Sequence, residues 1–135
     1  GRPVSELRRT KHDLPANGVL LFRDRDEMRR RIQQRVELMF ANGVVDEVRR
    51  IDAISATAEK AIGFREIKAL IAGQISEAEC REKITRATQR YAKRQLTWFR
   101  HQTNFEPLNL TGQRLSESIE LITRTARQFF ALQDD

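Results

Sequence analysis

Five stretches of the chain space their apolar residues three and four apart, and two short apolar runs lack that period. Met28, Ile32, Val36, Met39 and Phe40 recur at helical spacing. They predict a helix from a cap at Asp24 or Asp26 to the Asn42-Gly43 break, with Glu27 in the dipole-favoured first turn. A second, short helix is predicted over 44–51, with Val45, Val48 and Ile51 on one side. Residues 54–60 are small and polar and read as a connection. Ala61-Ile62-Gly63-Phe64-Arg65-Glu66 then opens a helix continued by Ile67, Leu70 and Ile71 and stopped at Gly73. Ser76 to Glu79 has the form of a capping box. It opens the longest helix, run to about His101, roughly 39 Å at 1.5 Å per residue. Ile84, Ala87, Tyr91 and Trp98 mark one face of it, with Ala92 and Leu96 beside them. A last amphipathic helix, capped by Ser116, is predicted to bury Ile119, Ile122, Ala126, Phe129 and Phe130.

The two runs without a helical period are Val19 to Phe22, predicted as a buried strand, and Leu108-Asn109-Leu110, a short strand before the Thr111-Gly112 turn. A lone strand cannot stabilise itself, so dimerisation or a domain swap is one way such strands would be covered. Residues 1–18 are polar and basic, punctuated by Pro3, Pro15 and Gly18, with one helical turn readable at Ser5 to Arg9. Residues 133–135 read as a frayed tail. The expected class is a mainly α chain with one or two short strands. Its 135 residues are the size of one domain, with no internal boundary or repeat.

Charge changes this picture. Charged residues are 33% of the chain and the net charge is +6, against a usual charged share of about a quarter. From Lys83 to His101 there are six Lys or Arg residues and no Asp or Glu. A helix dipole favours cations only over its last turn, so it does not account for a basic run several turns long. The run coincides with Tyr91 and Trp98 and with the polar Gln89, Gln95 and Thr97. Cations beside flat rings suit a polyanion that carries bases. Arg29, Arg30 and Arg31 read as a solvated face. Arg35, next to Val36 at the edge of the apolar stripe, either snorkels or meets an anion. Gly63, between two large apolar residues, reads as a turn or as a place where another backbone approaches closely. Trp98 reads equally as core or as an RNA contact.

Catalytic chemistry is not legible. The lone Cys80 and the distant His12 and His101 give neither a disulfide nor a metal pattern. No phosphate loop of the G-x-x-x-x-G-K-[ST] type occurs. No apolar run approaches the roughly 20 residues of a membrane span, no signal peptide is visible, and the cytoplasm is the default compartment.

Motifs in a fixed order then add a resemblance. Asp24-Arg25-Asp26, Arg31-Ile32, Arg35-Val36, Met39, Gly43 and Glu47-Val48 resemble the D-R-D-x-L-x-x-R-I-x-x-R-V-x-x-M-x-x-x-G-x-x-x-E-V segment of the tRNA dimethylallyltransferase (tRNA isopentenyltransferase) family. Lys60 to Glu66 resembles its A-I-G-Y-[KR]-E motif. Gly73-Gln74-Ile75-Ser76 resembles G-E-I-S, with Gln for Glu. Tyr91 to Arg100 resembles Y-A-K-R-Q-x-T-W-F-R, and Gly1 to Glu6 resembles G-[KR]-P-x-S-E. The likeness runs from residue 1 to about 102.

The resemblance implies transfer of a dimethylallyl group from dimethylallyl diphosphate, with Mg2+, to N6 of the adenosine 3′ to a tRNA anticodon. The base would be flipped out of its loop first. It implies that Ala61, Ile62, Gly63, Phe64, Arg65 and Glu66, and Lys93, Arg94, Gln95, Leu96, Thr97, Trp98, Phe99, Arg100 and His101, contact the anticodon stem-loop. Arg35 would be a diphosphate contact. It implies a chain that forms the late part of a nucleotide-binding-like P-loop α/β domain. The phosphate loop, the catalytic Asp and a helical insertion precede that part in the family, so the chain alone is expected to carry no catalytic or metal residue and to be inactive. Two rival readings are a stand-alone basic helical RNA- or DNA-binding module and a helical domain that docks an acidic protein.

Overall fold

The computed structural model describes residues 16 and 18–131. The G-x-P-x-S-E likeness at Gly1 to Glu6, the turn at Ser5 to Arg9 and the tail at 133–135 lie outside them. The elements run β1 (Val19–Phe22), α1 (Arg25–Ala41), α2 (Val44–Arg49), a 3-10 turn (Ala58–Lys60), α3 (Phe64–Ile71), α4 (Glu77–Gln102), β2 (Glu106–Asn109) and α5 (Leu115–Ala131). The architecture is mostly helical with two short strands. It divides into two compact units, one made of Gly1–Glu27 and Arg94–Asp135, the other of Met28–Lys93.

The Met28–Lys93 unit holds helices and no strand among the described residues. Its core joins Val36, Val48, Ile67, Cys80 and Ile84, packed about by Phe40, Val44, Val45, Phe64, Leu70, Ile71 and Ile75. The expected stripes of α1, α2 and α3 supply most of this. Cys80 is fully buried and behaves as a small apolar side chain. Burial pushes its thiol above the ordinary value, and Glu66 and Glu77 push it further. The capping box is formed: Ser76 N–H donates to Glu79 Oε2 at 2.8 Å and Glu79 N–H to Ser76 Oγ at 3.1 Å. Arg81 binds both Glu37 and Glu77 and sits 4.6 Å over the Phe40 ring, tying α1 to α4.

In the other unit the two strands pair with each other, but β1 is half-buried and Leu21 is 46% exposed, so it is not the buried strand that its apolar run predicts. β1 and β2 are parallel, with Val19 opposite Glu106 and Phe22 opposite Asn109. β2 begins two residues earlier than the apolar run predicts. Glu106 and Leu110 donate to Gly18 O and Phe22 O at 2.9 and 2.8 Å. Side alternation therefore turns position 107 away from β1, where a proline's missing N–H interrupts no ladder bond. Gly18 is required at the strand entrance, since a Cβ there would lie 2.7 Å from the Phe105 ring.

Glu27, expected only as a dipole partner, is buried at 9% exposure. Its Oε1 accepts from Arg23 at 2.8 Å and its Oε2 from Gly112 N–H at 2.7 Å. Arg23 also donates to Leu110 O at 2.7 Å, so one ion pair joins the end of β1 to the turn after β2.

Two expected apolar faces are corrected. Along α4 the covered positions advance in steps of four, through Cys80, Ile84, Thr88, Ala92 and Leu96. Four residues turn 400°, so this strip winds away from the seven-residue spacing of Ile84, Tyr91 and Trp98. Tyr91 is 46% and Trp98 56% exposed. In α5 the first helical residue is Leu115, and Arg114 N–H donates to Glu117 Oε2 at 2.7 Å, so Arg114 and not Ser116 holds the cap. The covered side runs through Ser118, Ile122, Ala126 and Phe129, which turns Ile119 outward.

Candidate nucleic-acid interface

The sequence places two groups of residues in this role, and each is held by its own unit. In the Met28–Lys93 unit, Gly63 precedes the first turn of α3 at φ 99° and ψ −27°, a region open to glycine and costly for other residues. Gly63 N–H donates to Glu66 Oε2 at 3.0 Å, which satisfies one of the orphan donors of the helix start. A Cβ on Gly63 would meet Ile84 Cδ1 at 3.6 Å, ordinary contact. Backbone conformation, and not lack of room, therefore demands the glycine. Of the two open readings of Gly63 the turn is realised; the atoms nearest a Cβ there are side-chain atoms of Ile84 at ordinary contact distance.

The turn is anchored from below by Ile67 and Ile84, both buried. Phe64 packs on the core, with Lys68 Nζ 5.5 Å from the centre of its ring. Ala61, Ile62 and Arg65 are exposed, and Glu66 is half-buried by its capping bond. On α1 in the same unit, Arg35 is exposed beside the buried Val36. It makes no ion pair among the described residues. The guanidinium is thus available to an anion.

The second group lies on the last turns of α4. Lys93 closes the helical unit, and Arg94 to His101 belong to the unit that holds the strands. Leu96 and Phe99 are half-buried; Arg94, Gln95, Thr97, Trp98, Arg100 and His101 are exposed. Phe99 is stacked on Phe105, ring centres 6.2 Å apart, and Trp98 stands edge-on to Phe99 at 5.0 Å. Phe99 therefore supports and Trp98 presents. Arg100 lies 5.1 Å over the ring of Phe22 in β1, so part of its role is to fasten α4 to the strand. Arg94, one turn before Trp98 on the same side, carries no such tie among the described residues. A free guanidinium one turn from an open indole can take a phosphate and a base face together. Phe22 and Phe105 position this group, and Glu27 ties β1 to the turn after β2; nothing in the sequence assigned any of the three that role. Their signal is spatial, since Glu27 and Gly112 are 85 residues apart.

Among the described residues no three His, Cys, Asp or Glu side chains cluster to hold a metal ion. No described helix is long and apolar enough to cross a membrane.

Comparison with known proteins bears on the chain as a whole. The family model for IPP transferase matches residues 1–102. A tRNA dimethylallyltransferase of Chelativorans sp. is 41% identical over 111 residues, covering 76% of this chain and 38% of that protein. One of Alkaliphilus metalliredigens is 39% identical over 116 residues, covering 83% and 37%. Among solved structures, the tRNA isopentenylpyrophosphate transferase of Bacillus halodurans superposes with a TM-score of 0.73 at 27% identity, covering 87% of this chain and 41% of that one. The corresponding transferase of Staphylococcus epidermidis gives 0.71 at 30% identity, covering 82% and 37%. The chain spans somewhat over a third of the length of the relatives it matches.

Proposed function

The chain belongs to the IPP transferase family, and from that premise we propose that it supplies the tRNA-contacting part of a tRNA dimethylallyltransferase. The reaction is transfer of a dimethylallyl group from dimethylallyl diphosphate to N6 of the adenosine 3′ to the anticodon. The N6–carbon bond forms as the allylic carbon–oxygen bond breaks. Diphosphate leaves with the electron pair, and N6 gives up a proton. The base that takes the proton, the phosphate loop and the magnesium site are assigned to parts of the enzyme outside these residues, the chain being the late portion of its α/β domain.

Within this division of labour, Arg94 and Trp98 hold the flipped anticodon loop by phosphate contact and stacking. In the other unit, the exposed Ala61, Ile62 and Arg65 of the Ala61–Glu66 turn are offered to tRNA, and Arg35 takes a diphosphate oxygen. The observation that carries the proposal is the exposure of Trp98 beside an untied Arg94, at a position where the sequence left core packing and RNA contact equally open.

The test has two arms. Binding of the chain to an anticodon stem-loop is compared with binding to duplex DNA of equal charge at one salt concentration. The proposal expects at least a ~10-fold preference for the stem-loop, whereas a plain basic module binds both by charge alone. In the second arm, tRNA is incubated with the chain and dimethylallyl diphosphate. No prenylated adenosine is expected, and its appearance would sink the division of labour.

A further inference from the structure

The basic face of α1 has no structural explanation. This helix carries five arginines against three carboxylates. Two of the carboxylates are already used: Glu27 by Arg23 and Gly112, and Glu37 by Arg81. Arg29 and Arg30 are exposed and make no hydrogen bond, ion pair or ring contact among the described residues. The family pattern D-R-D-x-L-x-x-R-I leaves both positions open, so the motif does not demand arginine there either. Gln33 and Gln34 follow each of them by one turn, about 6 Å along the axis, and are likewise exposed. Each pair offers a charged fork and then an amide donor. Those are the groups that meet a phosphate and an adjoining sugar hydroxyl.

We propose that this face, Arg29 and Arg30 with Gln33 and Gln34, is a second RNA-backbone contact surface of the chain. It would engage phosphates of the paired stem, separately from the unpaired loop assigned to Arg94 and Trp98. The inference rests on the tRNA reading above and enlarges its footprint. Charge favours RNA as the occupant: the four side chains carry two permanent cations against the one carboxylate of Asp26 a turn before Arg30, and the apolar Leu38 lies a turn beyond Gln34. A protein partner would instead use Leu38, which is 61% exposed on the same helix.

Fluorescence anisotropy of a labelled anticodon stem-loop, titrated with the full chain across a range of salt, tests this. For the Arg29→Gln/Arg30→Gln pair the expected result is a loss of roughly 10-fold in affinity. The slope of log affinity against log salt should fall by about 1.8, about 0.9 for each duplex phosphate no longer neutralised. Arg29→Lys/Arg30→Lys should keep the wild-type slope, and the far-ultraviolet circular dichroism of both pairs should match wild type. If Arg94→Gln weakens binding while the α1 pair leaves affinity and slope unchanged, this surface is overturned and the tRNA reading stands. If the wild-type chain binds no RNA, both fall. If the α1 pair or Leu38→Ser abolishes binding to polyglutamate while RNA binding is untouched, the face belongs to an acidic protein and the inference is wrong.

Discussion

Gly63 is held by its backbone and its core; Arg94 and Trp98 are held only by the helix they stand on. At Gly63 the positive φ, the bond to Glu66 and the packing against Ile84 leave one conformation. At the end of α4 the functional side chains project outward, and the fixing is done by neighbours that face inward, Phe99 on Phe105 and Arg100 over Phe22. One candidate contact is therefore inseparable from stability, and the other is nearly independent of it. Substitutions should separate the two kinds.

The largest effect is expected at Ile84. Truncation to Ala removes the floor beneath the Gly63 turn and leaves a cavity, at a cost of about 2–5 kcal/mol. Denaturant unfolding checks it; a loss below about 1 kcal/mol would mean that the turn does not depend on this side chain. Next comes Glu27→Ala, which strands Arg23 and the Gly112 N–H in a part-buried site. Roughly 1.5–3 kcal/mol is expected for a hydrogen bond to a charged group, read in the same way. A neutral result would show that the link from β1 to the β2 turn is dispensable. Gly63→Ala should cost about 1–2 kcal/mol from backbone strain alone, because the added methyl has room. Gly43→Ala, also at positive φ but not among the residues assigned to RNA, should cost a similar amount while leaving RNA affinity intact.

Much of this arrangement was legible in the chain because it is local. The Val19–Phe22 run, the Ser76–Glu79 capping box and the stripe at Ile32 and Val36 are fixed by neighbours a few residues away. So is the break at Gly43. What was not legible depends on distant partners or on winding. Glu27 looked like a dipole partner because Gly112 is far along the sequence. Pro107 hid the start of β2 because a proline is harmless only on the side of a strand that its neighbour does not use. Tyr91 and Ile119 read as buried, and Trp98 stayed open between core and RNA contact, because a seven-residue period does not track a surface that advances by fours or starts one position earlier. The residues of the candidate interface were recognisable by motif. Which of them face outward and which support from beneath was not.

The smallest expected effect concerns the core beneath the turn. Cys80 has its thiol raised in the fold above the ordinary value of 9.0. The neutral thiol is the form the fold favours, so its contribution to stability is complete below the ordinary value and is lost as pH rises through the folded one. Melting temperatures taken from pH 8 to 10 should fall more for wild type than for Cys80→Ala. Parallel curves would remove the buried thiol from the account. In native protein Cys80 should also resist alkylation until the helical unit opens.

Trp98 is the only tryptophan in the chain, so its emission reports on the one side chain that matters most to the proposal. Titration with an anticodon stem-loop should quench that emission saturably, with the midpoint moving to higher RNA concentration as salt is raised. Trp98→Ala should lower affinity measured by anisotropy by about 5- to 150-fold, the range for removing one base stack. Binding that leaves Trp98 emission unchanged, with Trp98→Ala as tight as wild type, would contradict the account.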